Sequence, residues 1–158
     1  MIFIRRLTPD DLPHLRQFWK ENWGDEFVVA HGVVYRPDNL DGFVAFDGDE
    51  WVGEITYTFL KDGCEIVSLD SLREGRGIGT KLIDAVLEEA RSKNCRRVFL
   101  ITTNDNLNAL RFYQKRGFEL VAVHRGAVNE SRKIKPGIPM IGFDGIPLRD
   151  EIELEFIL

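Results

Sequence analysis

Glycines stand at positions 75, 77 and 79 of Glu74-Gly75-Arg76-Gly77-Ile78-Gly79-Thr80-Lys81-Leu82, between an apolar run and a helical pattern. Glycine lets a backbone turn tightly and approach a ligand closely. A helix that starts in such a turn aims unpaired N–H groups and the positive end of its dipole at the turn's contents. That chemistry suits a pyrophosphate. Two phosphate-binding patterns fail on spacing. A P-loop needs GxxxxGK[ST], whereas Gly79-Thr80-Lys81 puts a residue between glycine and lysine, with no matching glycine upstream. A dinucleotide fingerprint needs GxGxxG and an acid about 20 residues later. Here the glycines read GxGxG, and Phe99 and Leu100 occupy the place of the acid.

The elements that must position this turn can be read from periodicity and punctuation. Ile2 to Leu7 reads as a strand, and Thr8-Pro9-Asp10-Asp11 as a helix start, with Thr8 as N-cap. Leu12, Leu15, Phe18 and Trp19 continue at helical spacing to about Trp23. Residues 24–41 read as a helix–loop region, with Val33-Val34-Tyr35 as strand or loop. Three strands follow: Phe43 to Phe46, Trp51 to Leu60, and Glu65 to Asp70, the last two joined by an Asp62-Gly63 turn. After the glycine turn a helix runs from about Gly77 to Lys93. Arg97 to Thr103 has the near-continuous apolar character of a strand buried on both faces. Asn104-Asp105-Asn106 opens a helix that Gly117 ends, and Phe118 to His124 is the next strand. Residues 126–148 show little periodicity, and Ile152 to Leu158 forms the last strand.

Together these predict one α/β (α+β) domain over residues 1–158, a mixed central sheet of about six to seven strands flanked by about four helices. At 158 residues, 44% hydrophobic and 30% charged, the chain can bury a sizeable core. Its net charge of −5 argues against a dedicated nucleic-acid binder. The charge is uneven: −8 over residues 1–70 and +3 over residues 71–158, so the basic excess begins at the glycine turn. Two cysteines, Cys64 and Cys95, form no CxxC and suggest reduced thiols. The early charges of Met-Ile-Phe-Ile-Arg-Arg and the lack of a long apolar run point to the cytoplasm and to no membrane.

About 30 residues after the turn comes a second pattern, Asn106-Leu107-Asn108-Ala109-Leu110-Arg111-Phe112-Tyr113-Gln114-Lys115-Arg116-Gly117-Phe118. With the glycine turn, helix and buried strand before it, the chain resembles the GCN5-related N-acetyltransferase (GNAT) superfamily. That family's pyrophosphate loop has the form [Q/R]xxGxG, and its later helix reads NxxAxxxYxxxGF. The second form is met at every fixed position. The first is met at Gly77 and Gly79, but Glu74 replaces its Gln or Arg, and the approach from Leu69 is short and lacks the usual proline.

The resemblance implies acetyl-CoA as cosubstrate, bound through Leu72, Glu74, Gly75, Arg76, Gly77, Ile78, Gly79 and Thr80, with Asn106 touching it while capping its helix. It implies acetyl transfer by direct attack of a primary amine, without a metal or a covalent enzyme intermediate. That is largely a problem of positioning. Tyr113 would protonate the departing thiolate, a backbone N–H of Leu69–Ser71 would stabilise the oxyanion, and Glu65 would be the base. Asp70 and Glu54 are weaker base candidates, His124 a candidate relay, and His14 and His31 read as surface residues. Arg76 or Lys81 would supply charge. The acceptor is a small-molecule or peptide amine. Basic residues Arg132, Lys133 and Lys135 suggest a carboxylate or phosphate on it, with a homodimer contact through the same loop as the alternative. A non-catalytic acyl-CoA-binding sensor on the same fold is the competing reading, motivated by Glu74.

Overall fold

Residues 41–71 carry β-branched and aromatic runs around two short turns, and they form the antiparallel heart of a seven-stranded sheet. The computed structural model describes residues 1–158. Its strands are β1 (Ile2–Arg6), β2 (Val28–Ala30), β3 (Val33–Tyr35), β4 (Asp41–Asp47), β5 (Glu50–Leu60), β6 (Gly63–Ser71), β7 (Arg97–Thr103), β8 (Glu119–His124) and β9 (Glu151–Ile157). The helices are α1 (Leu12–Trp23), α2 (Ile78–Ser92), α3 (Leu107–Lys115) and α4 (Ala127–Ile134). The large sheet runs β1-β4-β5-β6-β7-β9-β8, and β2 pairs with β3 alone. Only β6 and β7 are parallel, as their crossover through α2 requires.

The core lies where α2 crosses the sheet. Ile78, Leu82, Ile83, Val86, Leu87 and Ala90 recur at helical spacing and are buried within one cluster of 19 side chains. Asp11 fixes the entry to α1: its carboxylate accepts from the Thr8 N–H at 2.8 Å and from both terminal nitrogens of Arg5. Arg5 holds it at about 2, below the usual carboxylate range.

Two segments differ from the sequence reading. Residues 28–35 form a hairpin: Val33–Tyr35 is a strand, one of the two readings open to it, but Val28–Ala30 is a strand rather than helix, and the chain turns at His31-Gly32 with φ of 40° and 79°. Positive φ at both central residues is the turn that matches strand twist. Residues 127–134 form α4, whose Val128 and Ser131 are buried.

The glycine turn divides its labour. Gly77 has φ of 70° and caps α2, a conformation other residues adopt at a cost. Gly79 lies inside α2, and a Cβ there would come 2.8 Å from Cζ of Phe112 on α3. At an open helical site, Gly→Ala stabilises by about 0.4–1 kcal/mol. Here Gly79→Ala is expected to destabilise by about 1–3 kcal/mol, because the Phe112 ring must move. Urea unfolding reads the sign, and a stabilised variant would show that α2 and α3 are not in that contact.

Candidate functional site

The site begins with a break in the sheet. β6 and β7 pair only at Cys64↔Val98, Glu65↔Phe99 and Ile66↔Leu100. Next to that point, the β5–β6 register shifts: Thr56 faces Ser68 and Tyr57 faces Ile66, so Val67 is an extra residue. Such a bulge bends its strand and ends regular pairing. From Val67 to Ser71 the β7-facing edge of β6 has no strand partner. A notch opens there, and a cavity lies on each side of it.

The first cavity, about 550 Å³, runs from the notch to the start of α2. Glu74, Gly75, Gly77, Ile78, Gly79 and Thr80 line it, as do Asn106 and Tyr113. Leu72 and Arg76 do not. The Leu72 N–H donates to Val52 O at 2.8 Å, and Arg76 faces Asp47 at 3.4 Å. Glu74 and Lys81 are exposed. The cations in the cavity wall are instead Arg73, which pairs with Asp47 and Glu50, and Arg116. Arg116 is held against α2 and α3. Its Nε donates to Thr80 Oγ1 at 2.8 Å, and its guanidinium stacks 3.6 Å from the Phe112 ring centre. Asn106 caps α3, its Oδ1 accepting from the Ala109 N–H at 3.1 Å. Tyr113 is buried between Phe112 and Phe118. Burial and the nearby Asp70 and Glu54 carboxyls push its pKa up, so the phenol keeps its proton at neutral pH.

The second cavity, about 720 Å³, lies under the β2–β3 hairpin and α4. Glu65 lines it. Tyr35 donates to Glu65 Oε1 at 2.5 Å, and His31 Nε2 stands 3.0 and 2.9 Å from its two oxygens. The His31 N–H donates to Glu151 at 3.1 Å. The hairpin tip is thus clasped to β6 and β9 by two carboxylates. Trp23, Ile66, Val67, Leu69, Ile101 and Asn106 line both cavities, so the two meet at the notch.

Asp70 also lines the second cavity, and it pairs across strands with Glu54. Glu54 is wholly buried and accepts from Ser68 Oγ at 3.0 Å. Burial pushes both pKa values up, and the proximity of two carboxyls pushes Glu54 higher, so the pair holds a proton.

The chain belongs to the GNAT acetyltransferase family. The family's model matches residues 6–118. The Bacillus subtilis (strain 168) protein YdhI, itself uncharacterized, is 47% identical over 139 residues, 87% of each chain. YxbD of the same strain, also uncharacterized, is 45% identical over 148 residues, 93% of this chain and 92% of its own. Among solved structures, a GNAT family acetyltransferase from Elizabethkingia anophelis with acetyl-CoA bound shares the fold, with a TM-score of 0.73, 23% identity and coverage of 99% and 98% of the two chains.

Sequence reasoning missed His31, Tyr35, Arg116 and Glu151. The Lys115-Arg116 pair beside the motif's Gly117 was a signal for Arg116; no local signal marks the others. His14 stacks on Trp51, and His124 contacts Glu153 on the sheet's far edge, outside both cavities. The basic residues of the late loop do not form an anion site. Arg132 donates to the carbonyls of Ile138, Pro139 and Leu148, Lys135 to those of Trp23 and Phe27, and Lys133 pairs with Glu130. An anionic acceptor therefore finds no free cation in that loop. No helix is long and apolar enough to cross a membrane.

The Glu54–Asp70 pair makes stability pH-dependent. A carboxyl whose pKa is raised on folding favours the fold below its unfolded value, 4.5 for Glu54, and loses that contribution as pH rises through the folded value. The expected slope is a fall of about 1.4 kcal/mol per pH unit for each proton retained by the fold. Glu54→Gln keeps an acceptor for Ser68 and should flatten most of that fall between pH 5 and 8 in urea unfolding. An unchanged slope would locate the pH dependence elsewhere.

Proposed function

We propose that this protein transfers the acetyl group of acetyl-CoA to a primary amine by direct attack. The observation that carries this reading is the meeting of two cavities at the notch, with Tyr113 on one side and Glu65 on the other. In this reading the pyrophosphate lies against the loop from Glu74 to Thr80 and the N-terminus of α2, with Arg116 supplying positive charge. The pantetheine arm lies along the open edge of β6, taking the place of a strand and using N–H groups that β7 leaves free. The acetyl carbonyl then reaches the notch, where a β6 N–H in the Val67–Leu69 segment stabilises the oxyanion.

The amine approaches from the second cavity and gives up a proton to Glu65, whose Oε2 retains a free lone-pair position. His31 is one-third exposed and links Glu65 to solvent, so the proton has a way out. The tetrahedral intermediate collapses, the C–S bond breaks, and Tyr113 donates a proton to the departing sulfur.

Tyr113→Phe is expected to lower kcat by about 10²-fold or more, while the affinity for acetyl-CoA by calorimetry changes by less than about threefold. Unchanged turnover would remove Tyr113 from the chemistry. Glu65→Gln should lower kcat/KM, with the loss shrinking at high pH where the amine is already neutral. A loss of the same size across the pH range would make Glu65 a clasp for the hairpin rather than the base.

A further inference from the structure

The acceptor cavity is anionic and short of cations. Glu65, Asp70, Asp105 and Glu151 line it, with Lys135 the one lysine or arginine in its wall. Lys135 is occupied by the Trp23 and Phe27 carbonyls. Asp105 is occupied by Thr103 Oγ1 and the Phe143 N–H, and burial pushes the pKa of Asp70, which faces Glu54 across the strands, upward. Glu151 stands apart. Its residue is 3% exposed, and its one hydrogen-bond donor is the His31 N–H, at 3.1 and 3.3 Å from its oxygens. No lysine or arginine pairs with it. A carboxylate has about four lone-pair sites, so most of Glu151's are vacant.

A second, independent vacancy lies in the same wall. Ser131 is 2% exposed, and its Oγ has no hydrogen-bond partner. Buried polar groups left this way cost free energy that a matching ligand would recover. An ammonium presents three donors and suits both groups. Val28, Val29, Ile101 and Ile138 also line this cavity, offering apolar surface to a methylene chain. His31 touches Glu65 through its ring and Glu151 through its backbone, so the two carboxylates stand about one histidine side chain and two hydrogen bonds apart.

We propose that the acceptor is a small diamine or longer polyamine: one amine attacks at the notch, and a second, as ammonium, is seated on Glu151 with Ser131 Oγ as a further acceptor. This rests on the N-acetyltransferase reading. The test compares thiol release from acetyl-CoA with diaminobutane, butylamine, aminobutyrate and a lysine-free peptide with a free N-terminus. Diaminobutane should exceed butylamine in kcat/KM by about tenfold or more, the share of one charge-assisted hydrogen bond, and aminobutyrate should be poorest.

Glu151→Gln keeps an acceptor for the His31 N–H but deletes the charge. It should bring the diaminobutane-to-butylamine ratio to within about threefold of one. Ser131→Ala, which removes no charge, should raise the KM for diaminobutane a few-fold. Circular dichroism checks that both variants fold. Calorimetric titration of diaminobutane into the CoA-saturated protein separates the two layers. Binding that Glu151→Gln weakens, with no amine acetylated, supports the seat and rejects the transferase reading. No diaminobutane binding, a preference for any other member of the panel, or a ratio untouched by Glu151→Gln overturns the proposal.

Discussion

Three residue pairs hold β6 to β7, and then the strands part. The extra residue at Val67 is the physical cause, because a bulge on the β5 side turns β6 away from its parallel neighbour. A central strand with an open edge is costly unless something satisfies its N–H and C=O groups. That unsatisfied edge is where an extended ligand fits. The rest of the molecule is arranged around it: α2 crosses the lower sheet and delivers its N-terminus to one end of the gap, while α3 brings Tyr113 to its flank.

The two sides of the notch differ in charge. One has backbone donors, a helix N-terminus and Arg116, which together favour an anion. The other has buried carboxylates and a single lysine, Lys135, already committed to carbonyls. The hairpin over the second side is not held by its own two short strands alone. His31 reaches Glu65, 34 residues away, and Glu151, 120 residues away. Substrate-side geometry therefore depends on the same carboxylates that would handle the substrate.

What the sequence made legible follows from how local each cause is. Gly77 and Asn106 act through neighbours within a turn of chain, and their spacing carried the turn and the cap; Tyr113 was singled out by the resemblance, since at helical spacing alone it reads as a core aromatic. The helix of α2 and the strand of β7 announce themselves by periodicity. The β2–β3 hairpin did not, because its strands are three residues each and its turn is His31-Gly32 rather than Asn-Gly. Its conformation is fixed by distant partners. Arg132 and Lys135 looked like free cations for the same reason: the carbonyls that consume them are invisible in a one-dimensional pattern. Glu54 and Asp70 were each named as weaker base candidates, but their burial as a pair escaped, because polar residues at alternate strand positions normally mark a solvated face, whereas Glu54 and Thr56 are completely buried.

The notch is the claim on which the others stand, and a crystal structure of the protein with CoA bound tests it most directly. The expected result is a pantetheine arm hydrogen-bonded along β6 between Val67 and Ser71, with the thiol within hydrogen-bond reach of the Tyr113 hydroxyl and the pyrophosphate at the start of α2. CoA lying outside the gap between β6 and β7, or a thiol remote from Tyr113, would contradict it.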